Sequence, residues 1–317
     1  MSENRTNRIF ERLGKIPPYP PLLKGGMKGH IKGMPMNILF IFAKRFIAGQ
    51  TLAEALPVVE RLRSEGFGTT LDILGESVTN LVEARAVADE YCRVLRELKA
   101  KGLECNMSLK LTQLGLDISE QICFDNVAKI LVEAGRLDGF VRIDMEGSAY
   151  TQKTLNMVKR WHTIYPNSGT VIQSMLKRSP RDIEELLSEG ISVRLCKGAY
   201  KEPPDIAFPD KRDVDKQYET IMARLIASDI YHGIATHDEK IINQVKEYAA
   251  RFNIGKDRFE FQMLLGIRRD LQSQLVKEGY RVRIYVPYGS QWLPYTLRRM
   301  RERKENFWFV VKNLFRR

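Results

Sequence analysis

Cysteine is scarce in this chain: four residues (Cys92, Cys105, Cys123, Cys196), none in C-x-x-C spacing. That pattern excludes a disulfide framework and a zinc ribbon. Histidine is as scarce, and His30, His162, His232 and His237 are scattered with no H-E-x-x-H. No catalytic metal is expected. Long apolar runs are missing near the N-terminus, where the longest, residues 36–43, stops at Lys44 and Arg45. A spanning helix needs ~20 such residues. Residues 1–12 are polar and charged and do not read as a secretory signal. The dinucleotide fingerprint is absent too. Gly25, Gly26, Gly29 and Gly33 lie in a Pro/Gly-rich linker (16–35) with no strand before them. A reducing, cytoplasmic compartment is the expectation.

What remains is an ordinary globular composition, 317 residues with 44% hydrophobic and 28% charged. That is enough chain to bury a core without staples. The net charge of +12 is uneven. Residues 1–48 hold nine Lys/Arg against two Asp/Glu, and residues 298–317 hold eight against two. The middle of the chain is close to neutral. Helix-turn-helix, zinc-finger and RNA-binding signatures are missing, so nucleic acid is not an expected partner. In residues 306–317 (NFWFVVKNLFRR), Phe307, Val310, Val311 and Leu314 share one helical face, with Trp308 and Phe315 beside it. Such a face either packs on the domain or lies on an anionic membrane surface.

From residue 49 onward the pattern becomes regular. Strand-like runs recur at 69–74, 105–111, 140–145, 170–175, 191–197, 233–237, 259–264 and 282–288. Helix-period segments separate them, such as residues 79–98. Alternation of this kind predicts a parallel sheet. Eight units within this length predict an α/β fold, a (β/α)8 TIM-like barrel, typical size ~250 residues. Residues 1–68 would form an N-terminal helical arm, 69–303 the catalytic barrel, and 304–317 an extra C-terminal amphipathic helix.

Barrel chemistry sits at the C-terminal ends of the strands. Read in turn, those ends carry Glu76, Lys110, Asp144 with Glu146, and Gln173. Arg194 and Lys197 follow, then Gly198, Ala199 and Tyr200. The last three strands carry Thr236 and His237, Glu260 and Gln262, and Tyr285. A charge on an apolar strand is expensive unless it is paired or faces a wet site, so this ring predicts a polar pocket. Its surplus of cations suits a carboxylate or phosphate. After the eighth strand, a helix opening at Pro294 places Tyr295, Arg298, Arg299 and Glu302 on one face (i, i+3, i+4, i+7). Adjacent arginines there suit a carboxylate clamp. These residues leave two chemistries open. One is a Schiff-base aldolase or lyase with Lys110 or Lys197 as its amine and Asp144 as its acid–base partner. The other is suggested by resemblance.

The motifs LGE (74–76), SLKL (108–111), RIDMEG (142–147), VIQ (171–173), RLCKGAYKEP (194–203), ATHD (235–238), EFQMLLG (260–266) and YVPYGSQWLPYTLRRMRE (285–302) occur in order. Together they resemble the proline dehydrogenase family, in particular its monofunctional bacterial form. The resemblance implies non-covalent FAD at the barrel's C-terminal rim. It implies oxidation of L-proline to Δ1-pyrroline-5-carboxylate, with hydride passing from proline C5 to flavin N5. Electrons would go on to a membrane quinone, which gives the basic ends a possible peripheral contact with the inner face of the membrane. By resemblance, Arg298, Arg299 and Lys110 bind the proline carboxylate, and Tyr285 and Tyr295 shape the ring pocket. Asp144 organises the substrate side and Glu302 partners the arginines. Gln173, Arg194, Lys197, Gly198, Ala199, Thr236, His237 and Gln262 lie on the flavin side.

Overall fold

The computed structural model of the chain describes Phe40 and residues 43–302. The Pro/Gly linker and the C-terminal amphipathic segment fall outside the described residues. Cα proximity groups residues 46–291 into one compact unit, and Phe40 and residues 43–45 with 292–302 into another.

The larger unit is a closed barrel of eight parallel strands in sequence order. Helix α1 (Leu52–Ser64) leads into β1 (Gly68–Ile73), then α2 (Leu81–Ala100), β2 (Asn106–Leu109) and α3 (Glu120–Arg136). Next come β3 (Phe140–Ile143), α4 (Ser148–His162), β4 (Ser168–Gln173), α5 (Ser179–Ser188) and β5 (Ser192–Cys196). The circuit ends with α6 (Lys211–Ile226), β6 (His232–Ala235), α7 (Glu239–Arg251), β7 (Phe259–Leu264), α8 (Arg269–Lys277) and β8 (Arg281–Tyr288). Six residue pairs from Gly68↔Arg283 to Ile73↔Tyr288 close the ring between β1 and β8. All eight predicted strands are found, with every bound within two residues of the expected one. Strand β2 ends two residues early, because the chain leaves the ladder before Lys110 to reach the rim.

The apolar core lies mainly between the sheet and the helices. Leu71, Leu109, Val141, Ile143, Val193, Leu195, Ile234, Phe261 and Ile284 face Leu95, Ile130, Val158, Leu186, Tyr218 and Ile242 of the helical layer, all in one cluster. The alternate strand residues point to the barrel axis.

Helix starts are specified by short polar side chains. Thr51 accepts from the Glu54 N–H while the Glu54 carboxylate accepts from the Thr51 N–H, a reciprocal capping box opening α1. Asn80, Asp210 and Asp238 cap α2, α6 and α7 with their side chains. Helix α4 starts after Gly147, which has no side chain to offer. Glu202, from the loop after β5, accepts from the Ser148 N–H at 2.8 Å and from the Ser148 hydroxyl instead. A carboxylate at that end also meets the positive pole of the helix.

In the smaller unit, α9 (Trp292–Glu302) begins two residues before the expected Pro294 start. Pro294 is tolerated there because the first turn has no intrahelical use for its N–H. Trp292 meets the ring of Phe40 edge-on at 5.0 Å.

Thr51→Ala is expected to destabilise the fold by about 1 kcal/mol through loss of the α1 cap. Urea denaturation monitored by circular dichroism checks this.

Candidate active site

The inner face of the barrel is polar along much of its length, and the contacts on it cross between strands that are not neighbours. Arg194 on β5 is the hub. Its Nη1 donates to Asp144 Oδ1 (after β3) at 2.8 Å and its Nη2 to Ser108 Oγ (β2) at 3.0 Å. Its Nε donates to Gln262 Oε1 on β7. Only side chains pointing to the axis can make such contacts. Tyr285 on β8 donates its hydroxyl to the second oxygen of Asp144 at 2.8 Å. The Arg194 guanidinium lies 5.3 Å from the centre of the Tyr285 ring. Asp144 is thus fixed on both oxygens by donors from opposite sides of the barrel.

Beside this cluster, Lys110 pairs with Asp72 on β1 at 2.8 Å, both buried. Burial alone would lower the lysine's pKa, but the charges of Asp72 and Asp144 outweigh it and raise the value above the ordinary one. Lys110 is therefore a held ammonium. It has three N–H donors, of which one meets Asp72.

Gln173, the last residue of β4, is 3% exposed. Its amide nitrogen donates to the carbonyls of Met145 and Glu146 at 3.3 and 3.1 Å. Its Oε1 is buried with no hydrogen-bond partner. A buried acceptor left open in this way is costly unless a ligand donor completes it. Next to it, Gly198 has φ +105°, a left-handed conformation that disfavours a side chain, and a Cβ there would run into the Met175 side chain. Met175 packs against the side of Gly198 on which a Cβ would stand.

Lys197 reaches Asp215 at 2.6 Å and Asp238 at 3.0 Å. It draws together the first turn of α6 and the cap of α7. Ala199 is exposed in the following loop. Thr236 Oγ1 accepts from the Asp238 N–H at 3.1 Å. His237 Nε2 accepts from the Leu264 N–H at 2.9 Å, so its proton is on Nδ1. Glu146 is occupied by Thr112, whose N–H and hydroxyl donate to it at 3.0 and 2.5 Å. Burial pushes the Cys196 thiol up to about 12, so it stays a thiol at neutral pH and is a poor redox sensor.

The barrel therefore brings together Lys110, Asp144, Arg194, Gln262 and Tyr285, and adds Gln173 at the rim. Tyr295, Arg298, Arg299 and Glu302 stand on α9 in the other unit. There Tyr295 is buried, and the Arg299 guanidinium lies 5.4 Å from its ring centre. Sequence reading missed Asp72, Ser108, Asp215 and Asp238. Asp72 carried a usable signal, a charge inside the apolar run TTLDIL on the same parity as Thr70. The Lys197 partners did not, since Asp215 lies in α6 and Asp238 at the cap of α7, and nothing in the sequence ties either to Lys197. Two cavities, of about 410 and 320 Å³, open at the opposite end of the barrel. Their linings include Glu104 and Asp138 in one, and Tyr231 and Arg281 in the other.

A family model described as "Proline dehydrogenase" matches residues 55–312. "Proline dehydrogenase 1" of Bacillus subtilis (strain 168) is 40% identical over 275 residues, covering 87% of this chain and 91% of that one. "Proline dehydrogenase" of Deinococcus radiodurans is 38% identical over 279 residues, covering 86% and 90%. Among solved structures, proline utilization A (PutA) from Bdellovibrio bacteriovorus, inactivated by N-propargylglycine, superposes with a TM-score of 0.78 at 26% identity. This chain is covered to 83% and spans about a third (33%) of that longer one.

Replacing Asp72 by Leu strands the Lys110 charge and is expected to cost about 3–5 kcal/mol. The double change Asp72→Leu with Lys110→Met is expected to recover most of that loss, because no unpaired charge remains. Chemical denaturation of the two variants checks this, and equal losses would refute the pairing.

Proposed function

Because the chain belongs to the proline dehydrogenase family, oxidoreductases of proline catabolism, we propose that it oxidises L-proline to Δ1-pyrroline-5-carboxylate with FAD held at the C-terminal rim of its barrel. FAD, when bound, supplies the acceptor for the hydride that leaves proline C5. The observation that carries this reading is the cluster of Arg194, Asp144, Tyr285 and Lys110, gathered from β2, β3, β5 and β8 at one level of the barrel.

The residues present fit such a cofactor. The open Oε1 of Gln173 would accept an N–H donor of such a group. Arg194 places a cation where negative charge accumulates on reduction. Thr236, His237, Gln262, Lys197 and Ala199 are assigned to the same side.

On the substrate side, Arg298 and Arg299 of α9, with Lys110, are assigned to the carboxylate. Three cations favour binding of an anion and disfavour a protonated amine beside it. That matters because the nitrogen must keep a lone pair free to push as hydride leaves. Tyr285 and Tyr295 are assigned to the ring, and Glu302 to the arginine pair. Asp144 organises rather than takes a proton, since each of its oxygens already accepts a hydrogen bond. Holding substrate and acceptor together removes the entropy of a collision.

The rival Schiff-base chemistry needs a neutral lysine amine. Lys110 is paired with Asp72 and its pKa is raised, and Lys197 is paired with two carboxylates. Both observations favour the dehydrogenase reading. Electron exit to a membrane quinone, with the basic chain ends as peripheral contacts of a cytoplasmic enzyme, belongs to the same proposal. Among the described residues no helix is long and apolar enough to cross a membrane.

The purified protein is expected to show a flavin spectrum that bleaches on anaerobic addition of L-proline and recovers with a short-chain quinone. A flavin spectrum indifferent to proline would overturn the substrate, and a protein that takes up no FAD would overturn the cofactor. Arg298→Met and Arg299→Met are each expected to weaken proline binding by ~1.5–3 kcal/mol and to leave FAD content unchanged. Titration of flavin bleaching with proline measures this, and parallel loss of FAD would contradict the carboxylate assignment.

A further inference from the structure

The polar column continues below the residues assigned so far. Glu260 stands two residues before Gln262 on β7, one layer deeper in the barrel, and is 4% exposed. Its Oε1 accepts from Gln262 Nε2 at 2.5 Å and from Arg283 Nε at 2.7 Å, and its Oε2 accepts from the Tyr231 hydroxyl at 3.1 Å. Arg283 is itself anchored, donating at 2.8 Å both to the Thr69 carbonyl and to Glu104. Burial alone would raise the Glu260 pKa, but Arg283 holds the carboxyl below its ordinary value, so it is ionised.

Chemistry sets the polarity of this chain. A guanidinium only donates and a carboxylate only accepts. The Gln262 amide therefore has one satisfying orientation, oxygen to Arg194 and nitrogen to Glu260. The neighbouring strand makes room for it. A Cβ on Gly233 of β6 would come within 2.7 Å of Gln262 Cδ, so the amide lies in a groove that only glycine leaves open. Without Glu260, the Gln262 amide nitrogen loses its acceptor, and Arg194 keeps Asp144 and Ser108 but loses its rigid third support.

We propose that Glu260 is a positioning residue for proline oxidation: acting through Gln262, it holds the Arg194 guanidinium in the orientation that serves Asp144 and the cofactor together. The inference rests on the reading of Arg194 as a cofactor-side cation. Two effects of removing Glu260 have opposite signs. As a bare negative charge, its loss favours the reduced, negatively charged cofactor and moves the flavin potential positive. As a positioner, its loss releases Arg194, weakens stabilisation of that form, and moves the potential negative.

The test uses FAD-loaded wild type, Glu260→Gln and Glu260→Leu, with Arg194→Met as the second background. Glu260→Gln keeps an acceptor oxygen for Gln262 and Arg283, and its kcat is expected to stay within about threefold of wild type. Glu260→Leu is expected to lower kcat by roughly tenfold or more, to change KM for proline by less than about twofold, and to move the potential negative. In the Arg194→Met background, Glu260→Leu is expected to move the potential no further in that direction. A positive or absent shift in Glu260→Leu overturns the proposal, as does the same negative shift without Arg194. Should Glu260→Leu fail to fold, Gln262→Met cuts the same link at similar volume and must also move the potential negative, or the proposal fails. A wild type that binds no flavin fails the functional reading. A wild type whose flavin bleaches with proline, beside a Glu260→Leu lacking the negative shift, fails this inference alone.

Discussion

The contact on which the rest of the site depends is the Arg194–Asp144 pair at the barrel axis. Buried ions are tolerated only when paired and fully hydrogen-bonded. This pair meets the condition by drawing on distant strands, with Ser108 from β2, Gln262 from β7 and Tyr285 from β8. Each partner approaches from a different direction, so neither the guanidinium plane nor the carboxylate is free to rotate. A site built this way is held by strands rather than by loops, which suits chemistry that depends on alignment. It also makes barrel closure a condition for the site, because β8 must pair with β1 before Tyr285 comes opposite Asp144.

The fold was legible because it rests on periodicity and local chemistry. Eight apolar runs alternate with helix-period segments, and each run maps to a strand. The rim residues were legible for a related reason, since a charge on an apolar strand stands out against its neighbours. What stayed hidden is pairing. Lys110 and Lys197 looked like surplus cations in the sequence. In the fold Lys110 meets Asp72, 38 residues away, and Lys197 meets Asp238, 41 residues away. Nothing local marks such partners, because register around a barrel decides which inward residues come level. The surplus of positive charge at the rim is accordingly smaller than the strand ends suggested. Arg142 shows the opposite case. Its guanidinium donates to the carbonyls of Thr170 and Ser192 and to the Ser192 hydroxyl, none of them a carboxylate. Burial and the nearby Arg194 lower its pKa, the direction expected of a poorly compensated buried cation.

A barrel with so many ionic groups on its axis must draw stability from elsewhere. Here the apolar cluster joins the outer faces of the strands to the helices, and the helix starts are capped by Thr51, Asn80, Asp210, Asp238 and Glu202. Two of these caps reach beyond their own helices. Asp238 caps α7 with one oxygen and accepts from Lys197 with the other. Glu202 caps α4 from the loop that follows Gly198. The loop beside the proposed cofactor site is thus tied to helix starts on both sides, so the devices that specify the fold also fix the rim.

This division of labour suits a dehydrogenase and not an aldolase, although a lysine and an aspartate stand close together on the same scaffold. A barrel can place Lys110 near Asp144 in either enzyme. What differs is what surrounds the amine. A nucleophilic lysine needs apolar walls or a neighbouring cation to lose its proton. Lys110 instead has Asp72 within 2.8 Å, and the pair is buried. A fixed ammonium cannot attack a carbonyl, but it is a durable partner for a carboxylate. Asp144, bound by Arg194 and Tyr285, is in the same way better suited to orient than to exchange protons. Such a site suits the proposed reaction, in which the protein would hold charge still while a hydride passes from substrate to cofactor.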